Sequence, residues 1–211
     1  MAEPTQDLLI VFARALRPGK VKTRLIPATG EQGALRVYRQ LLESTLKAAR
    51  TFPGDVELWT DQPDVTLAAM ARRRGWDYRV QQGHDLGERM SRAISQGLAH
   101  YRRVLLVGSD CPLLDRQYFD TALRALRHHD VVFGASEDGG YVLLGSAHSL
   151  IWKRNPFQAV QWGTEYALAD SREALLGRTS DVAILPALWD VDEPDDLARA
   201  APSRPLGGRY A

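Results

Sequence analysis

Cysteine is nearly missing from this chain, with Cys111 alone among 211 residues. A lone cysteine excludes an internal disulfide framework and a cysteine-built zinc site, and it fits a reducing compartment. An excess of charge of either sign is also missing: 27 Lys plus Arg face 26 Asp plus Glu, for a formal net charge of +1. Without a global field to attract nucleic acid or an anionic membrane, any basic function must be local. No apolar run approaches the roughly 18 residues of a membrane span, and the first residues, MAEPTQD, are polar and acidic. These absences predict a soluble, cytoplasmic protein with no nucleic-acid or membrane partner. Common site signatures are missing as well. Neither G-x-G-x-x-G nor G-x-x-x-x-G-K-[ST] occurs, so there is no dinucleotide fingerprint and no Walker-type loop. His84, His100, His128, His129 and His148 never adopt H-E-x-x-H spacing. His128-His129 closes a predicted helix, where cations suit the helix dipole.

What remains is a regular alternation of strand-like and helix-like segments, the pattern of an α/β domain with a largely parallel sheet. Strands are predicted at Leu8 to Ala13, Val56 to Thr60, Tyr78 to Gln81, Val104 to Gly108, Val131 to Ala135, Tyr141 to Gly145 and Val182 to Leu185. Helices are predicted at Glu31 to Arg50, Pro63 to Arg74, Leu86 to Ala99, Asp115 to Arg127, Thr164 to Leu176 and Pro194 to Ala200. In the first helix Leu35, Tyr38, Leu42, Thr45, Leu46 and Ala49 form one stripe, which reads as a core-facing surface. At this length one domain is expected over residues 1–201, with Pro202 to Ala211 a loose tail rich in proline and glycine.

The most informative stretch runs from Phe12 to Leu25. An apolar strand gives way to a loop carrying Arg17, Lys20, Lys22 and Arg24 around Pro18-Gly19. Open α/β sheets bind ligands at the carboxyl ends of their strands, so this loop would face a ligand crevice as a phosphate-binding segment. Val104 to Leu113 is a second strand that ends in Gly108-Ser109-Asp110, which puts the Asp110 carboxylate at the same kind of edge. Asp115 is the better spaced residue for capping the next helix, which leaves Asp110 for metal or nucleotide contact. Cys111 beside that acid reads as a packed thiol, since a reactive thiolate needs cationic neighbours.

Ser136-Glu-Asp-Gly-Gly-Tyr141 pairs Glu137 and Asp138 with Gly139 and Gly140 ahead of a strand. Asp-Gly is a hairpin signal. It is also compatible with a site in which Asp138 is the functional acid and the two glycines let backbone approach a ligand. Thr164 is a predicted helix N-cap and Trp162 either lines a pocket or packs. Arg89, in the first turn of the helix at Leu86, is a candidate phosphate or acceptor contact. Asp190 and Asp192 lie two apart in an extended segment, hence on one side, just before the helix opened by Pro194. Asp195 and Asp196 fall in its first turn, where acids serve the helix dipole. Asp110 with Asp190 or Asp192 would make a carboxylate set of the kind that holds Mg²⁺ together with substrate phosphates.

Taken in order, the FxxxxxPGxVKTRL loop, GSDCP, EDGGYxLLG, WGT and DVDEPDDL resemble the bacterial family of rSAM/selenodomain-associated transferases, predicted glycosyltransferases. The resemblance covers nearly the whole chain. It departs at Arg14-Ala15-Leu16, where relatives carry Lys-Ala-Pro or similar, and at Trp162-Gly163-Thr164, where they carry Trp-Ser-Thr. The family looks like the nucleotide-diphospho-sugar transferase superfamily, which implies a single-domain GT-A fold, Rossmann-like, with a mostly parallel central sheet flanked by helices. By that similarity Lys20, Lys22 and Arg24 fall on the phosphate loop, Asp110 on the acid that contacts metal and nucleotide, and Asp192 on the second metal position. The expectation is a transferase dependent on Mg²⁺ or Mn²⁺, with Asp110 and Asp138 as its catalytic acids and a small-molecule acceptor as partner. Sugar transfer from a nucleotide sugar is slightly favoured. Three loop cations and the lack of an Asp-x-Asp pair also fit nucleotidyl transfer from a nucleoside triphosphate to a phosphorylated small molecule. A catalytically weak nucleotide- or sugar-binding module is the remaining alternative.

Overall fold

The computed structural model describes residues 6–200, so the expectation for the tail at Pro202 to Ala211 lies outside the described residues. In chain order the strands are β1 (Asp7–Ala13), β2 (Asp55–Thr60), β3 (Asp77–Val80), β4 (Arg103–Val107), β5 (Val131–Ser136), β6 (Tyr141–Ser146) and β7 (Val182–Leu188). The helices are α1 (Ile26–Ala49), α2 (Val65–Arg72), α3 (Leu86–Gly97), α4 (Arg116–Ala125), α5 (Ala167–Leu175) and α6 (Pro194–Ala200). Two short 3-10 turns, Thr23–Leu25 and Ser149–Trp152, have no apolar period long enough to announce them in the sequence. Gly30, at φ 68, interrupts α1, so its regular part begins at Glu31 as the sequence predicts.

The strands form one seven-stranded sheet in the order β3-β2-β1-β4-β6-β5-β7. Pairing is parallel throughout except at β6, which runs antiparallel to both β4 and β5. Helices cover both faces, and the alternation of side chains along each strand divides the core accordingly. Leu9, Val11, Leu105 and Val107 face α1, α2 and α4, which contribute Leu42, Leu67 and Phe119. Leu8, Ile10, Val104 and Leu106 face the other way, toward Met90 and Ile94 of α3 and Leu175 of α5. The chain leaves β1 through α1 on one face and returns to β4 through α3 on the other. The sheet therefore changes winding between β1 and β4, which opens a crevice outside their carboxyl ends.

β6 is the exception in an otherwise parallel sheet. Its carboxyl end points away from the crevice, and its amino end, with the Asp138-Gly139-Gly140 turn before it, points toward it. β7 also runs further than Val182 to Leu185, reaching Leu188 through Pro186. A proline ends most strand readings, but β7 is an edge strand and needs no hydrogen-bond donor on its outer side.

Acids cap three of the helices. Asp64 accepts from Thr66 N and Leu67 N, Asp85 from Glu88 N and Asp115 from Tyr118 N. Thr164 does not cap α5. Its hydroxyl donates to the Gln161 carbonyl and accepts from Tyr166 N, which builds the turn before the helix instead. Asp115→Ala should lower stability by about 1 kcal/mol, the usual cost of losing an N-cap. In a chain of this length that is a fall of about 2–4 °C in Tm, read by thermal denaturation, and an unchanged Tm would contradict the cap.

Candidate functional site

The segment after β1 is held in place by side chains from three other elements. Ala15 N donates to Asp61 Oδ1 and Leu16 N to Asp64 Oδ2, both at 2.7 Å, which ties the loop to the end of β2. Arg14 N donates to the Tyr38 hydroxyl at 2.6 Å, and that hydroxyl lies 3.1 Å from Ser109 Oγ at the end of β4. Tyr38 thus clasps the carboxyl ends of β1 and β4 together from α1. Burial pushes its hydroxyl pKa well above the ordinary phenol value, so it works as a neutral hydrogen-bonding group.

The second half of the loop turns on Gly19 and Lys22. Gly19 has φ 71, and a Cβ there would sit 3.0 Å from the Glu31 carboxylate. Lys22 has φ 45, the only positive value among the described non-glycine residues. A left-handed backbone costs an L-residue roughly 1–2 kcal/mol, and such strain tends to gather at functional sites. Here it accompanies a lysine directed inward: the Lys22 side chain is 4% exposed, whereas Lys20 and Arg24 lie at the surface. Lys22 Nζ stands 3.1 Å from Asp110 Oδ2 and 3.5 Å from Asp192 Oδ1, and Arg24 reaches Asp192 Oδ2 at 2.7 Å.

Residues distant in sequence meet here because the strand ends do. Val191 N donates to the Asp110 carbonyl at 3.1 Å, which fixes the segment after β7 against the end of β4. Asp196 Oδ2 accepts from Asp192 N and Glu193 N, the structural role expected of an acid in the first turn of α6. Asp190 accepts from Ser136 Oγ at 2.9 Å. Burial raises its carboxyl pKa, the charge of Asp138 raises it further, and the Ser136 hydrogen bond and the charge of Lys22 oppose the rise. Asp138 is exposed and accepts from Gly140 N at 3.0 Å. Glu137 turns outward into a two-pronged pair with Arg199, which lowers its pKa and separates it from the other acids.

Lys22, Arg24, Asp110, Asp190 and Asp192 therefore form one charged cluster, with Asp138 close enough to act on Asp190. Lys20 makes no ion pair among the described residues, and its carbonyl accepts from Arg14. Gly139, at φ 86, has a local explanation. A Cβ there would run into the Glu165 carbonyl, and its own carbonyl accepts from Leu168 N, so its close approach is to the turn before α5. On its Cβ side the nearest neighbour of Gly140 is the Asp138 carboxylate. Arg89 Nε donates to the Gly83 carbonyl, and Trp162 packs edge-on against Phe157 and Tyr141. Burial pushes the Cys111 thiol up to about 12, so it stays protonated and inert at neutral pH.

The donor set bears on a metal. Asp110 Oδ1 is buried with no hydrogen-bond partner, although the side chain as a whole is 43% exposed. An unpartnered buried carboxylate oxygen calls for a cation. Among the described residues no group of three or more His, Cys, Asp or Glu side chains is arranged to hold a metal. Asp110 and Asp192 alone would fit an ion that takes its other ligands from phosphate and water, as Mg²⁺ does.

Sequence reasoning missed Tyr38, Asp61, Asp64 and Ser136 as site-forming residues. Asp61 and Asp64 directly follow a buried strand in Thr-Asp-Gln-Pro-Asp, the same signal that singles out Asp110. Tyr38 was indistinguishable from its apolar stripe, since only its hydroxyl leaves the core.

A model of a bacterial family, described as an uncharacterized protein conserved in bacteria (DUF2064), matches residues 45–164. The chain belongs to this family. The DUF2064 chain matches no curated protein. Among solved structures it is similar to a protein of Desulfovibrio desulfuricans G20 provisionally designated a nucleotide-diphospho-sugar transferase. That match has 28% identity and a TM-score of 0.81, covering 96% of this chain and 89% of the other. It also shares its fold with 4-diphosphocytidyl-2C-methyl-D-erythritol synthase from Anaerococcus prevotii DSM 20548, at 14% identity and TM-score 0.61, over 94% and 99% of the two chains. A manganese complex of Rv0371c from Mycobacterium tuberculosis H37Rv matches at 18% identity and TM-score 0.56, over 95% and 100%. The DUF2064 chain thus has the α/β fold expected from its resemblance to the nucleotide-diphospho-sugar transferase superfamily. Among its described residues no helix is long and apolar enough to cross a membrane.

The raised pKa of Asp190 sets a pH dependence. A folded-state pKa above the unfolded value stabilises the fold fully below the unfolded pKa, and the contribution is lost as pH rises through the folded one. Asp190→Asn should therefore be more stable than the parent at neutral pH, and the two should converge as pH falls through the carboxylate range. Tm measured against pH decides this, and two parallel curves would contradict it.

Proposed function

We propose that this protein is a metal-dependent transferase of the nucleotide-diphospho-sugar type. Its loop cations Lys20, Lys22 and Arg24 bind the phosphates of a nucleotide donor, and Asp110 and Asp192 hold Mg²⁺ or Mn²⁺. The observation that carries this reading is the ion-pair cluster at the strand ends, where the cations of one loop meet the carboxylates of two others. A bound divalent ion would supply Lewis-acid charge neutralisation at the diphosphate. The chain's own residues do the rest. Lys22 and Arg24 have donors and no acceptors, so they suit phosphate oxygens. Tyr38, Asp61 and Asp64 hold the loop against the strand ends, which reduces the ordering cost when the donor binds. Asp138, at the exposed rim beside Asp190, is the carboxylate available to take a proton from an acceptor hydroxyl, and Gly139 and Gly140 shape the backbone beside it.

Sugar transfer from a nucleotide sugar is the preferred reaction, supported by the similarity to the Desulfovibrio protein across nearly the whole chain. Nucleotidyl transfer from a nucleoside triphosphate is the second reading. It is favoured by three cations on one loop and by the single acid, Asp110, at the end of β4. A thermal-shift screen of nucleotide sugars and triphosphates, with and without Mn²⁺, separates them, since a ligand that binds only the native state raises Tm. A nucleotide-sugar hit followed by sugar turnover supports the first reading. A hit with triphosphates alone supports the second, and metal-independent binding without turnover makes the chain a binding module.

Lys22→Ala should weaken nucleotide binding by about 1.5–3 kcal/mol, the range for a hydrogen bond to a charged group. Unaltered affinity by calorimetry in a folded variant would return the loop to a solvated turn. Asp110→Asn and Asp192→Asn should each abolish metal-dependent nucleotide binding, and the double variant should be little worse than either, because residues acting as a unit are non-additive. Undiminished Mn²⁺ affinity of both single variants in the nucleotide complex would sink the shared metal position.

A further inference from the structure

We infer that the Lys22 ammonium is a stand-in cation. Without nucleotide it fills the gap between Asp110 and Asp192, and the divalent ion enters only after donor phosphates have drawn the lysine away. This inference rests on the reading above and adds an order of binding to it: nucleotide first, metal second.

The observations that support it are geometric. Lys22 Nζ lies 3.1 Å from one carboxylate and 3.5 Å from the other, so a single ammonium serves both acids. Its side chain is almost wholly buried, on a backbone held in the left-handed region. Arg24 occupies the second oxygen of Asp192, so both oxygens of that carboxylate already face cations. A divalent ion needs carboxylate oxygens at about 2.0–2.1 Å if it is Mg²⁺. It cannot take Asp110 Oδ2 and Asp192 Oδ1 while an ammonium sits within contact distance of both, since the two cations would repel at short range.

Phosphate resolves the conflict. Donor phosphate oxygens compete for the same ammonium and guanidinium hydrogens, and each contact they gain releases a carboxylate oxygen. Nucleotide and metal affinities are then positively coupled through Lys22, and the coupling must be reciprocal. Chelation of the metal by phosphate would also couple them, but it gives Lys22 no influence over metal binding when nucleotide is absent. That difference makes the inference testable.

Mn²⁺ titration of the nucleotide-free protein, followed by electron paramagnetic resonance, is the experiment. Lys22→Met and Lys22→Gln should each tighten Mn²⁺ binding about tenfold, within the range of ordinary coupling energies. Arg17→Met removes the same charge from an exposed position on the same loop, where solvent screens it, and should change affinity less than about twofold. Circular dichroism checks that each variant is folded, and either Lys22 variant suffices. Equal Mn²⁺ affinity in the parent and the Lys22 variants, with binding still lost in Asp110→Asn, overturns the stand-in role and leaves the metal site intact. An equal effect of Arg17→Met overturns it as well, since general charge would then be the cause. Absence of Mn²⁺ binding in every protein, with or without nucleotide, overturns both this inference and the metal-dependent reading.

Discussion

The carboxyl edge of this sheet gathers more negative charge than it can hold unaided, and the Lys22 ammonium between Asp110 and Asp192 is what balances it. Like charges brought together at a partly buried edge raise each other's pKa and oppose folding. The protein sorts its acids by giving half of those at this edge another partner. Asp61 and Asp64 accept backbone amides of the loop after β1, Asp196 accepts those of Asp192 and Glu193, and Glu137 pairs with Arg199. Asp110, Asp138, Asp190 and Asp192 are left. Two of them share Lys22, and Asp190 carries the remaining strain as a raised pKa.

Topology explains why these acids meet. The winding of the sheet changes between β1 and β4, so the loop after β1 and the acid after β4 open onto one crevice. β7 delivers Asp190 and Asp192 to the same edge, and the antiparallel β6 delivers the Asp138 turn from its amino end. Tyr38 then links the two central strand ends with one buried hydroxyl. A few hydrogen bonds from rigid elements thus position a loop whose own sequence, rich in cations around Pro18-Gly19, has little to hold it.

Much of this was legible in the residues themselves. Seven strands and six helices could be read because apolar periodicity governs both, and the buried run from Leu8 to Ala13 announced a central strand. The basic loop and Asp110 were legible because unusual residues sit at a strand end. The direction of β6 was not legible, since pairing is decided by the sheet and not by the strand's own pattern. Nor was the contact of Lys22 with both acids, which needs a left-handed residue and two loops separated from it by 88 and 170 positions, and no local pattern records such a meeting. The close neighbour of Gly139 within the fold was not legible either: a glycine that permits close approach does not say what approaches, and a Cβ there would meet the Glu165 carbonyl.

The central claim is that one crevice binds nucleotide phosphates on the loop cations and a divalent ion on Asp110 and Asp192. Anomalous diffraction from crystals of the protein grown with Mn²⁺ and a nucleotide diphosphate tests it most directly. The account predicts a manganese peak ligated by both carboxylates and a phosphate oxygen, with the Lys22 ammonium moved onto the diphosphate. Manganese bound elsewhere, or a diphosphate that leaves Lys22 between the two acids, would contradict it.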